Sequence, residues 1–188
     1  MAKLHFRYSA MNAGKSTMIL QVAHNYREQG MQVALLAASV DDRYGVGRVT
    51  SRLGIGADAM TYDAASDFDA LLPKDVACCL IDEAQFLSPA QVKQIHRWVH
   101  ANGIPVMCFG LRSDFQGNPF PGSAMLLSLA DELEEVRTIC RCGKKATMNI
   151  RLSEDGLRVR EGEQVVIGGN SSYRQSCAGC FYRACISF

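Results

Sequence analysis

The chain lacks any apolar run approaching the roughly 18 residues that a membrane-crossing helix needs, so neither a helical membrane protein nor a membrane partner is expected. It also lacks an N-terminal stretch of secretory type, since a strand-like segment and a small-residue loop follow the first residues directly; a cytoplasmic location is the expectation. A basic surplus is missing too: 20 lysines and arginines face 19 acidic residues, leaving a net charge of +1 and no basic stripe. Proteins that live on phosphate backbones need such a surplus, so nucleic acid is not an expected partner. There is no internal repeat and no low-complexity segment. What remains is an ordinary globular composition, 48% hydrophobic and 21% charged, over 188 residues. That length buries one substantial core and a small satellite module, not two full-sized domains.

Ser9 to Ser16 read SAMNAGKS. Small residues let successive backbone N–H groups of Ser9, Ala10, Met11, Asn12, Ala13 and Gly14 turn toward phosphate oxygens, while Lys15 reaches the outer phosphates and Ser16 offers a hydroxyl to Mg²⁺. The flanks agree, because Leu4 to Tyr8 has strand character and Lys15 to Gln29 places Met18, Ile19, Val22, Ala23 and Tyr26 on one helical face. The usual pattern has glycine where this chain has Ser9, so either the loop entry has ordinary backbone angles or Ser9 is mildly strained.

Downstream, strand-like runs at Gln32 to Ala38, Ala59 to Tyr62, Val76 to Ile81 and Ile104 to Leu111 alternate with helical stretches. One helix opens at Pro89 and ends at Gly103, and a last one carries Leu126, Leu129, Ala130 and Leu133. Asp41 to Gly56 reads as a loop. The alternation predicts an α/β fold with a mainly parallel sheet flanked by helices, whose ligands gather beyond the carboxyl ends of the strands. The phosphate loop, the acid pair Asp82 and Glu83, and Arg112 to Phe115 would all emerge at that rim. The acid pair ends a buried strand, which suits Asp82 to Mg²⁺ and Glu83 to the general base of phosphoryl transfer; a merely solvated strand end is the structural alternative.

Eight cysteines divide by context. Cys78, Cys79 and Cys108 sit in apolar runs as small core residues, and Cys185 reads as a free thiol. Cys140, Cys142, Cys177 and Cys180 form C-x-C, 34 intervening residues, then C-x-x-C, a set able to hold structural zinc. Disulfides or unpaired core thiols are the alternatives.

The segments SAMNAGKST, IDEAQFL, GLRSDFQGNPF and EQVVIGGNSSY, closing on C-x-x-C, together resemble the cytosolic, zinc-containing thymidine kinase family. The resemblance runs nearly end to end. From about Cys140 the strand-helix rhythm gives way to short β-like pieces, glycine pairs and cysteines, which places a boundary near residue 139; the resemblance implies a P-loop NTPase-like domain over residues 1–138 and a zinc-binding lasso over 139–188 that covers the nucleoside. It implies transfer of the γ-phosphoryl group of ATP to the 5′-hydroxyl of thymidine, with Glu83 as base, Ser9 to Ser16 as the ATP loop, and Asp82, Glu83, Ala84 and Gln85 as the second nucleotide segment. Gln164, Val165, Val166, Ile167 and Gly168 match the strand that reads the thymine edge, and Tyr173 the tyrosine beside sugar and base. Met11, Phe86, Leu111, Phe115 and Phe120 match positions around the base, and Arg43 a basic residue near the phosphates. Read from residues alone, the three phenylalanines are ordinary core. The resemblance further implies a homotetramer and feedback inhibition by thymidine triphosphate, and with eight residues after Cys180 no long regulatory tail is expected. A nucleic-acid-stimulated ATPase and a non-catalytic nucleotide-binding regulator are the rival readings of the same loop and acids.

Overall fold

The computed structural model describes residues 1–41, 45–165 and 172–183. In chain order it forms β1 (Leu4–Ser9), α1 (Lys15–Glu28), β2 (Val33–Ala38), β3 (Arg48–Thr50), β4 (Gly56–Asp58), β5 (Met60–Tyr62), α2 (Phe68–Leu71), β6 (Cys78–Ile81) and, after one 3₁₀ turn, α3 (Pro89–Asn102). Then come β7 (Val106–Leu111), α4 (Pro121–Leu129), β8 (Glu132–Glu135), β9 (Thr138–Ile139), β10 (Lys145–Ala146), β11 (Met148–Leu152), β12 (Arg158–Val159), β13 (Tyr173–Ser176) and α5 (Ala178–Tyr182).

Six strands form one sheet in the order β5-β2-β6-β7-β1-β8, every pairing parallel. Strand periodicity explains why their sequences are apolar throughout: successive side chains enter opposite layers. Cys79 and Ile81 pack with Phe6, Leu36, Trp98 and Leu126 on the α3 and α4 side. Cys78 and Leu80 pack with Leu35, Phe109, Ile19 and Ala23 on the α1 side. Cys78, Cys79 and Cys108 are therefore core, and burial pushes the Cys78 and Cys79 thiols up to about 12, which keeps them unreactive.

Local signals set the helix ends. Ser88 Oγ accepts from the Gln91 N–H at 3.2 Å and Gln91 Oε1 accepts from the Ser88 N–H at 2.9 Å, a reciprocal cap on α3 with Pro89 at its first position. Gly103, at φ 69°, ends the helix.

Two expectations change. The last helix stops at Leu129, and Leu133 lies in β8 opposite Phe6, half-exposed at the sheet edge. Asp131 is the cause: its N–H donates to the Leu4 carbonyl at 2.9 Å and its Oδ2 accepts from the Leu4 N–H at 2.8 Å, which draws the chain out of the helix and alongside β1. The stretch expected as a loop holds β3, paired antiparallel with β4, because β-branched Val49 can bury against the α1 layer. Beyond β8 the parallel pattern ends, and β9–β10 and the antiparallel sheet β12-β11-β13 follow.

Candidate active site

Ser9 closes β1 in register with Leu111 and needs no left-handed backbone; Asn12 (φ 62°) and Gly14 (φ 84°) turn the loop instead. Serine is tolerated for that reason. Its Oγ accepts from Lys15 Nζ at 2.9 Å and donates to the Ala10 carbonyl at 2.6 Å, so the loop entry is tied to the loop's own cation. No side chain caps α1 at Gly14, which leaves the first-turn N–H groups available to a phosphate. The loop is also braced from far along the chain. Asn149 on β11 accepts the Met11 N–H at 2.8 Å while its Nδ2 donates to the Ser113 carbonyl at 2.8 Å. Asn12 Nδ2 donates to Gln175 Oε1 at 2.7 Å.

Asp82 and Glu83 leave β6 beside the loop because β6, β7 and β1 are parallel neighbours. Asp82 Oδ2 accepts from Ser16 Oγ at 3.4 Å. Burial first, and the neighbouring Glu83 charge second, push the Asp82 carboxyl up to about 7. Two hard oxygen donors this close can both reach one Mg²⁺ at about 2.1 Å, so Ser16 and Asp82 fit that ion. Glu83 takes a left-handed backbone, φ 51° and ψ 38°, a conformation that costs a non-glycine residue about 1–3 kcal/mol. The surroundings hold it there. The buried Tyr62 phenol shares its single O–H between the carbonyls of Asp82 (3.0 Å) and Glu83 (2.9 Å), Gln85 Nε2 donates to the Glu83 carboxylate, and Gln85 Oε1 accepts from the Leu111 N–H at 3.0 Å. Tyr62→Phe is expected to lower stability by about 1–3 kcal/mol through loss of the donor those carbonyls share and to lower kcat through a displaced Glu83; denaturant midpoints and steady-state rates check both.

A single cavity joins loop and acids to an aromatic wall. Lys15, Ser16, Asp82 and Glu83 line it together with Phe86, Leu111, Phe115, Phe120 and Tyr173. Phe86 meets Phe120 edge-on at 6.2 Å and Phe115 meets Tyr173 edge-on at 6.4 Å. Gln164 is fixed at the rim by donating Nε2 to Asp114 Oδ2 at 2.9 Å.

The four cysteines that close the C-terminal part converge, every Sγ within 4.8 Å of the others and none bridged by a disulfide. Cys142 Sγ and Cys177 Sγ lie 3.6 Å apart. Four thiolates at about 2.3 Å from one tetrahedral ion stand roughly 3.8 Å from each other, whereas a disulfide needs about 2.0 Å, so the donors fit an ion. Burial opposes ionisation of Cys140, yet backbone N–H groups of Cys142 and Cys177, together with the neighbouring Cys142 and Cys180 thiols, outweigh it and bring the thiol down to about 6. The Cys180 N–H, donating to Cys177 Sγ at 3.4 Å, lowers Cys177 as well. Hydrogen bonds from Cys142 and Cys177 raise Cys180 to about 12, as when four clustered thiols share protons.

The family described as Thymidine kinase matches residues 2–181. A thymidine kinase of Chromobacterium violaceum is 59% identical over 182 residues, covering 97% of this chain and 99% of that protein. One of Albidiferax ferrireducens is 57% identical, covering 97% and 93%, and one of Ruegeria pomeroyi 56% identical, covering 94% and 92%. The chain belongs to the thymidine kinase family. In this thymidine kinase family member Met11, Asn12, Ala13, Gly14, Gln85 and Val165 also line the cavity, whereas Ser9 and Ala10 lie buried outside its lining and Ala84 is in the core. Arg43, Val166, Ile167, Gly168 and Cys185 lie outside the described residues. Sequence alone does not single out Asn149, Gln175 or Tyr62, because each acts on a residue distant in the chain and none belongs to a motif; Asp114 lies within GLRSDFQGNPF, but nothing there points to its bond with Gln164.

Proposed function

We propose that this chain transfers the γ-phosphoryl group of ATP to the 5′-hydroxyl of thymidine, giving thymidine monophosphate and ADP for DNA-precursor salvage. The observation that carries the reading is the shared cavity, with Lys15 and Glu83 on its walls and Phe86, Phe115 and Phe120 beside them. The phosphate chain lies along the loop N–H groups and Lys15, and the base lies between the aromatic side chains. Glu83 accepts the 5′-hydroxyl proton as that oxygen bonds to the γ-phosphorus; the bond to the β–γ bridging oxygen breaks and ADP leaves with the electron pair. Mg²⁺ held by Ser16 and Asp82 supplies charge neutralisation at the phosphates. Residues 1–138 serve ATP, and 139–188 act as a zinc-held lasso over the nucleoside, with Gln164 and Val165 at the cavity.

Thymidine triphosphate is the expected feedback inhibitor, since its base suits the aromatic wall while its phosphates reach Lys15. A homotetramer in the cytoplasm completes the reading. Assembly is supported by β8, an edge strand carrying half-exposed Leu133, and by exposed Ile139; among the described residues no helix is long and apolar enough to cross a membrane. Incubation with γ-labelled ATP and a panel of nucleosides, with DNA as a separate arm, tests the function. Label should pass to thymidine. Phosphate release that responds to DNA and ignores thymidine would replace the kinase with an ATPase.

A further inference from the structure

At the end of the sheet opposite the phosphate loop, two histidines of α3 meet the residue just before β8. His96 and His100 stand one helical turn apart, and Asp131 faces them from the α4–β8 connection. The Nε2 atoms of His96 and His100 are 3.3 Å apart, and His100 Nε2 is 3.4 Å from Asp131 Oδ2. All three donor atoms lie within 4.8 Å of one another.

These separations are poor as hydrogen bonds and good as something else. A neutral imidazole carries one N–H, so His100 Nε2 cannot serve both neighbours, and both distances exceed the usual 2.7–3.2 Å or so of an N–H donor to its acceptor. Nitrogen and oxygen ligands at about 2.0–2.1 Å from one tetrahedral ion are separated by roughly 3.3–3.4 Å, the two spacings found. The rings meet edge-on, at 75° with centroids 4.7 Å apart, so the contact is not a face-to-face stack. Asp131 is already oriented: the Leu4 N–H donates to its Oδ2 at 2.8 Å, the kind of outer-shell bond that fixes a carboxylate ligand. The third protein ligand leaves the fourth position to water, since His100 and Asp131 are partly open to solvent.

We propose that His96, His100 and Asp131 form a second metal site, separate from the four cysteines, for a first-row divalent cation of the Zn²⁺ type. Two imidazoles and a carboxylate suit such ions rather than Ca²⁺ or Mg²⁺. The ion would staple the last turns of α3 to the start of β8, about 16 Å along β1 from the phosphate loop. It would act on the fold and leave the chemistry untouched.

Zn²⁺ itself is the probe. Metal content of the full-length protein is first measured by elemental analysis, and Zn²⁺ is then titrated calorimetrically into wild type, His96→Ala, His100→Ala, Asp131→Asn and, as a control with a surface histidine elsewhere, His24→Ala. Wild type and His24→Ala should hold one Zn²⁺ beyond the cysteine-bound equivalent. Each of the three site variants should bind it about tenfold or more weakly. Added Zn²⁺ should raise the melting temperature of wild type and not of His100→Ala, because an ion bound only by the folded state stabilises it. Circular dichroism shows whether the variants are folded. The site is refuted if wild type takes up no further Zn²⁺, or if folded His96→Ala and His100→Ala bind it as wild type does.

Discussion

Glu83→Gln is expected to lower kcat by about 10²–10⁴-fold, which raises the barrier by roughly 3–5 kcal/mol, and to leave ATP affinity unchanged. The substitution keeps the size of the side chain and a partner for Gln85, but an amide cannot take the 5′-hydroxyl proton. In the proposed reading ATP binding rests on other groups: the loop N–H groups, Lys15 and the oxygens of Ser16 and Asp82. A fall in kcat with constant KM for ATP is the signature of an interaction made only in the transition state. Steady-state kinetics and equilibrium binding of a non-hydrolysable ATP analogue give the two readouts. Turnover at the wild-type rate would remove Glu83 from the mechanism.

The second large effect concerns the cysteine cluster. Around it lie only small clusters, Cys140, Ala146 and Cys177 in one and Ile150, Leu152 and Phe181 in the other. Structural zinc in small modules contributes about 10–16 kcal/mol, as much as the whole stability of many domains, so with zinc at these cysteines this region would depend on the ion more than on its core. Cys177→Ser, or chelation of the ion, should therefore loosen β9 to β13 while the parallel sheet persists. Asn149 would lose its fixed place, and with it the bonds to the Met11 N–H and the Ser113 carbonyl that brace the phosphate loop. Thymidine KM should rise about tenfold or more, on the scale reported for weakened metal shells, and elemental analysis of wild type should find zinc at the cluster. Unchanged thymidine KM and unchanged protease resistance of residues 139–183 after verified metal removal would contradict the structural role.

The sequence made some of this site legible and hid the rest, for physical reasons. SAMNAGKS and the acid pair could be read because each packs its chemistry into a few consecutive residues, and the C-x-C and C-x-x-C spacings likewise. The parallel sheet was legible because apolar runs such as Cys78 to Ile81 are buried on both faces. Phe115 and Phe120 were ambiguous, since a side chain that walls a cavity can be as buried as one in the core, 1% and 6% exposed here. Leu133 misled because four residues after Leu129 fits a helical stripe, and only the pairing of Asp131 with Leu4 shows that the chain has left the helix. Asn149, Gln175 and Tyr62 stayed hidden because the groups they hold are neighbours in space alone.

The most direct measurement is a crystal structure with thymidine and a non-hydrolysable ATP analogue bound together. The thymidine 5′-oxygen should lie within hydrogen-bonding reach of the Glu83 carboxylate, about 2.6–3.2 Å, and in line with a γ-phosphate contacted by Lys15. A nucleoside seated away from Phe86, Phe115 and Phe120, or a Glu83 carboxylate turned from the 5′-oxygen, would contradict it.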